Sequence, residues 1–160
     1  MKGQIWYLDL VIGFTIFTLA LLIFFTTEIN LNDSEQEHLS SLIFEGSVIG
    51  DHLMGSGYPD EWNENYYTEI GIVDKGLINT TKLNNLTKIP YNDSKKAFGT
   101  RFDYYVYIVG DNFSIEQEGY GFPEVNSSSI EEIESNNLIN IDRLVVYNKE
   151  IKTLKVIIWD

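Results

Sequence analysis

The chain has 160 residues, no cysteine and a net charge of −13. Without cysteine there are no disulfides, thiolate metal sites or cysteine nucleophiles, and so acidic a chain argues against a nucleic-acid partner. At 44% apolar and 14% aromatic residues, the composition is that of a folded protein and not of a disordered one.

Met1-Lys2-Gly3-Gln4 precede an apolar run from Ile5 to Phe25 in which Asp9 is the only charge. At about 1.5 Å of rise per residue the run crosses a hydrocarbon core of roughly 30 Å as one helix. Three readings are open for it: a secretory signal, a permanent anchor, or a retained stem. A secretory signal has an apolar region of about 7–15 residues followed by a small-x-small site; this run is longer, and Thr26-Thr27-Glu28-Ile29 supplies no such site. Between Gly3 and Asp74 lie twelve acids (Asp9, Glu28, Asp33, Glu35, Glu37, Glu45, Asp51, Asp60, Glu61, Glu64, Glu69 and Asp74) and no Lys or Arg. Lys2 and the α-amino group stand before the run and only acids follow it closely, so the positive-inside bias leaves the N-terminus cytoplasmic and the rest outside.

Lys2-Gly3-Gln4 set against an apolar helix resembles the archaeal class III, prepilin-type signal. In that family a prepilin peptidase cuts after the Gly or Ala, leaving Gln as the first mature residue and the apolar helix on the protein. The resemblance implies processing at Lys2, Gly3 and Gln4, and a role in filament assembly for the acidic residue near the mature N-terminus, which meets the amino terminus of a neighbouring subunit. That family usually carries Glu at the fifth mature position; here the fifth is Leu8 and the sixth Asp9. The other reading of Asp9 is that, flanked by Trp6 and Tyr7 in an interfacial aromatic belt, it reaches the headgroups and the positive end of its own helix.

Past the run, Asn32-Asp33-Ser34 is rich in cap-type residues and Ser34 with Glu37 fits a capping box. Leu39, Leu42, Ile43, Ile49 and Leu53 follow helical spacing, so the first helix either continues or kinks near Asn30 to Ser34 and resumes, its apolar stripe packing on a globular head. Gly55-Ser56-Gly57-Tyr58-Pro59 ends it. Tyr67 to Val73 reads as a strand turning at Asp74-Lys75-Gly76. Asn79 is placed to cap a short helix through Leu83 and Leu86, and Asn92 or Asp93 another that ends at Gly99. Phe102 to Val109 is a strand apolar or aromatic on both faces. Asp111 to Asn137 is the loosest segment. Leu138 to Tyr147 and Ile151 to Trp159, around Asn148-Lys149-Glu150, read as a terminal hairpin. The order of helix, Gly57-Tyr58-Pro59-Asp60-Glu61-Trp62, Ile70-Gly71-Ile72, Phe98-Gly99 and the Asp103-Tyr104-Tyr105 strand is similar to small archaeal pilin-like proteins.

No motif carries catalytic chemistry. His38 and His52 are fourteen residues apart, about 21 Å along one helix, and cannot share a metal within a chain; Glu131, Glu132 and Glu134 read as a solvated face. No phosphate loop, EF-hand, HExxH or Gly-x-Ser-x-Gly occurs, so no enzyme, cofactor or metal is expected. Asn-x-Ser/Thr acceptors fall at Asn32, Asn79, Asn85, Asn92, Asn112 and Asn126, making these the candidate N-glycosylation sites of an outward domain.

The expected fold is α+β: a leader (1–3), an apolar transmembrane or stem helix (4–26), its continuation (27–54) and a small, mainly antiparallel head (55–160). The resemblance implies a pilin-like structural subunit of a surface filament or of its assembly machinery. Its partners are the membrane before assembly, other copies or related subunits through the N-terminal helix, and the prepilin peptidase. The other reading is a single-pass surface protein whose head binds a ligand or partner and never polymerises.

Overall fold

A computed structural model describes residues 2–110, 115–126 and 129–160 of the chain. It has two compact units, Met1–Ser40 and Ser41–Asp160. Helix α1 is Lys2–Leu53; residues 30–34 are helical, so Ser34 is interior to α1 and does not stand at a helix start. The second unit is α+β. It contains β1 (Val73–Asp74), β2 (Leu77–Ile78), α2 (Thr80–Leu86), α3 (Tyr91–Phe98), β3 (Asp103–Val109), β4 (Ile115–Gly121), a 3₁₀ turn at Ile130–Glu132, β5 (Leu138–Tyr147) and β6 (Glu150–Trp159).

The end of α1 belongs to the second unit because its apolar stripe is part of that core. Leu42, Ile49 and Leu53 are fully buried. Gly46 sits between them, where a Cβ would come within 2.7 Å of Ile141 Cδ1 and 2.8 Å of Ile158 Cγ2; its missing side chain is what lets the helix lie against β5 and β6. Leu39 and Ile43, assigned to the same stripe by spacing, are exposed. Around the buried seam, Glu45 accepts hydrogen bonds from Thr100 Oγ1 at 2.8 Å and Arg101 N at 3.0 Å, and Asp51 pairs with Arg143 at 3.0 Å.

The sheet runs β1-β2-β5-β6-β3-β4. Its centre is the hairpin predicted from the C-terminal sequence: β5 and β6 pair from Leu138 opposite Trp159 to Tyr147 opposite Glu150. Asn148 and Lys149 take φ of 52° and 69°, the left-handed conformation that a two-residue hairpin turn needs. All pairings are antiparallel except β2 with β5, which is parallel at Leu77 and Val146. One face, with Tyr104, Val106, Ile141, Val145, Leu154, Val156 and Ile158, forms the main core under α1, α2 and α3. On the other face Tyr105, Ile157 and Trp159 are covered by Phe122, Val125, Ile130 and Ile133.

Three local expectations need correction. Tyr67 to Ile72 is not a strand: Ile70, Gly71 and Ile72 are all buried instead of alternating. Their neighbourhood bonds to the end of α1 and the loop after it, with Ile72 N donating to Leu53 O and Val73 N to Gly55 O, both at 3.0 Å. A Cβ on Gly71 would collide with the Gly55 carbonyl and Gly57 nitrogen, so the contact is backbone on backbone. α3 starts one residue before Asn92, with Pro90 at the cap position and ψ of 135°; Pro has no N–H to leave unsatisfied there, and its carbonyl accepts from Asp93 N at 2.9 Å and Ser94 N at 3.1 Å. Finally, β4 lies in the segment read as loose. Gly119 and Gly121 weakened its strand signal, yet both are required there: a Cβ at Gly119 would meet the Tyr105 ring and one at Gly121 the Tyr104 carbonyl.

Candidate functional site on the apolar helix

Tyr7–Thr27 is a helical stretch of mean hydropathy 2.5 with none of it buried, long and apolar enough to cross a membrane. Its large side chains stand outward all round, among them Phe14 at 70% and Ile23 at 66% exposure. A helix apolar on every side is suited to lipid or to other helices. Its threonine hydroxyls need no external partner: Thr15 donates to Val11 O and Thr18 to Phe14 O, each at 2.8 Å. Thr26 and Thr27 donate back to Ile23 O, each at 2.9 Å. This back-bonding satisfies the polar atoms inside the helix. The four threonines carried no such meaning in the sequence, although this back-bonding geometry is available to any helical Thr.

Asp9 is the one charged residue of the stretch. It is exposed, and among the described residues its carboxylate has no hydrogen bond or ion pair. Gly13, one turn on along the same face, has nothing within 4 Å of where a Cβ would stand, so the surface next to the carboxylate is open. Lys2, Gly3 and Gln4 are residues of α1; their side chains lie outside the described residues.

The glycosylation candidates divide. Asn32 is within α1, not in a loop, and Asn112 lies outside the described residues. Asn79 is the N-cap of α2, its Oδ1 accepting from Thr81 N at 2.9 Å and Lys82 N at 3.2 Å while its Nδ2 donates to Asp74 Oδ2 at 2.7 Å. Asn85 Nδ2 donates to Trp62 O at 3.2 Å. Asn92 and Asn126 are exposed, and Asn126 sits in the loop after β4. Of the histidines, His52 is half-buried against Phe98, ring centroids 6.1 Å apart. Among the described residues no three His, Asp or Glu side chains gather as metal ligands.

A buried, paired charge in the head escaped the sequence reading. Lys82 is 5% exposed at the base of a cleft of about 490 Å³ lined also by Asp60, Trp62 and Asn85. Its ammonium donates to Asp74 Oδ1 at 2.6 Å and to Ser56 O at 2.8 Å, so the buried charge is paired as burial demands. The hydrogen bond from Lys82 holds the Asp74 carboxyl below its usual value of 3.8. A carboxyl depressed in the folded state contributes stability that is complete above the unfolded value and is lost as pH falls through the folded one. Asp74→Asn is therefore expected to lower stability at neutral pH and to flatten its decline below about pH 4. Urea unfolding at stepped pH checks this; an acid limb as steep as in the wild type would contradict it.

No protein-family model, curated protein or solved structure matches the chain.

Proposed function

We propose that the chain is a pilin-like structural subunit of a surface filament, or of the machinery that assembles one, and that it polymerises through its N-terminal apolar helix. The observation that carries this is Asp9, a carboxylate with no partner among the described residues, on an apolar stretch whose threonines are satisfied within the helix. A charge costs about 2.5–3.5 kcal/mol at the bilayer centre on insertion scales and less toward the interface, where Asp9 stands near the end of the stretch, and charged residues of membrane helices pair. Here the partner comes from outside the chain: the amino terminus of a neighbouring copy, freed at Gln4 by the prepilin peptidase after Lys2-Gly3.

Apolar stems leave the bilayer packed on one another, and lipid contact is exchanged for helix contact. Before assembly the N-terminus is cytoplasmic and the head outside, where Asn92 and Asn126 present exposed acceptors for N-glycosylation. The mechanism is association without turnover. Shearing the surface of cells that express the tagged chain tests it. The chain is expected in the sheared filament fraction as well as the membrane; complete retention in the membrane would contradict the proposal.

A further inference from the structure

A cleft of about 460 Å³ opens between the start of α3 and the residues that follow β4, and Asn92 is part of its lining. Some of that lining is apolar: Tyr91 and Phe122 meet edge to face at 5.8 Å, and Pro90 and Pro123 extend the surface they make. The rest is polar and internally fixed. Lys95 Nζ and Tyr91 Oη each donate to Asp103 Oδ1 at 2.8 Å, which leaves Asp103 Oδ2 without a partner among the described residues. With lysine and carboxylate already paired to each other, the cleft suits a neutral ligand. Its rings and prolines suit an apolar face, and the free carboxylate oxygen accepts from a hydroxyl. A sugar ring offers both, with C–H groups on its faces and hydroxyls round its edge.

We infer that the cleft seats the first sugar of a glycan carried on Asn92 itself. Asn92-Asp93-Ser94 is an acceptor sequence, and Asn92 differs from the other described acceptors of the head. Asn79, Asn85 and Asn126 each have the side-chain amide engaged, Asn126 Oδ1 by Ser129 N at 3.1 Å. Asn92 is exposed, and its amide has no hydrogen bond among the described residues. Linkage forms when Asn92 Nδ2 attacks the anomeric carbon of a lipid-phosphate-linked sugar. The new C–N bond replaces the C–O bond to phosphate, the lipid phosphate departs, and the amide gives up one proton. The hydroxyl two residues on sets when this happens. Ser94 is fully buried, its Oγ donating to Tyr91 O at 2.7 Å and bonded to Tyr104 Oη, so a transferase that reads this hydroxyl reaches it only before α3 packs on β3. The sugar is therefore present as the cleft forms, and its tether makes the seating intramolecular, so that weak intrinsic affinity suffices. The inference rests on the reading of the head as outward, where the sugar donor is met, and adds where the sugar goes.

The full chain, made in a eukaryotic secretory host fed isotope-labelled glucose and purified in detergent micelles, tests this. Glycopeptide mass mapping is expected to find a glycan on Asn92. In the folded chain the carbon-bound protons of its first sugar are expected upfield of their positions in the same chain unfolded in urea, with nuclear Overhauser contacts to the Tyr91 and Phe122 rings. A glycan on Asn92 whose first sugar keeps its unfolded-chain resonances in the folded protein would overturn the seating. An empty Asn92 beside an occupied acceptor elsewhere in the head would overturn this site and leave the outward head standing. A head bare at every acceptor would overturn the outward orientation and this site together.

Discussion

Asp9→Ala is expected to leave the chain in the membrane and to remove it from filaments. Insertion becomes easier, because a carboxylate is deleted from a stretch of mean hydropathy 2.5; near the end of the stretch the gain is smaller than the roughly 2.5–3.5 kcal/mol of a charge at the bilayer centre. Assembly becomes harder, because the neighbour's amino terminus loses its counter-charge in a site from which lipid and water are excluded. Removing one partner of a buried ion pair costs about 3–5 kcal/mol, on the order of a hundredfold or more in the assembly equilibrium. Asp9→Glu preserves the charge and is expected to recover most of the assembly, whereas Asp9→Asn keeps only hydrogen bonding and is expected to fall between. Membrane and sheared-filament fractions, quantified side by side, check this. Equal recovery of Asp9→Ala and wild type in filaments would remove Asp9 from the mechanism.

Trp62→Ala is expected to cost the head most of its stability. The ring is 2% exposed, its Nε1 donates to Gly71 O at 2.8 Å, and it meets Tyr67 edge-on at 6.4 Å. It also lies so close to Gly57 that a Cβ there would stand 2.6 Å from the ring. One side chain thus ties the loop after α1 to the buried Ile70-Gly71-Ile72 segment. Truncating a buried tryptophan costs about 3–5 kcal/mol, a large share of a total that is typically about 5–15 kcal/mol. Trp62→Phe keeps most of the volume and strands the Gly71 carbonyl, so a smaller loss of about 1–3 kcal/mol is expected. Urea midpoints of the full chain in detergent separate the two; a shift for Trp62→Ala worth under about 1 kcal/mol would mean that the loop is held elsewhere.

Where local chemistry decides the backbone, the sequence was legible. Gly55 to Pro59 ends α1, Asn79 caps α2, Gly99 closes α3 with φ of 69°, and Asn148-Lys149 makes the hairpin turn. Each of these depends on residues a few positions apart. What was missed depends on partners far along the chain. Gly119 and Gly121 read as loop residues until Tyr105 and Tyr104 lie beside them, and Ile70 to Ile72 resembles a strand until its backbone is seen bonded to the end of α1. Lys82 looks like any helical lysine; its burial follows from Asp74 and Ser56 arriving from two other segments. For the candidate site the balance is reversed. Asp9 stood out in the sequence as one charge in an apolar run, and the structure adds that the threonines farther along the run bond within the helix while Asp9 has no partner among the described residues.

Filament assembly through α1 requires that the apolar helix be a processed, retained stem. Intact mass and N-terminal sequencing of the protein recovered from the cell surface measure this directly. A mature chain that begins at Gln4 is expected, with Met1, Lys2 and Gly3 removed and Asp9 as its sixth residue. A chain that still carries Lys2 and Gly3, or one cut after the apolar run, would contradict it.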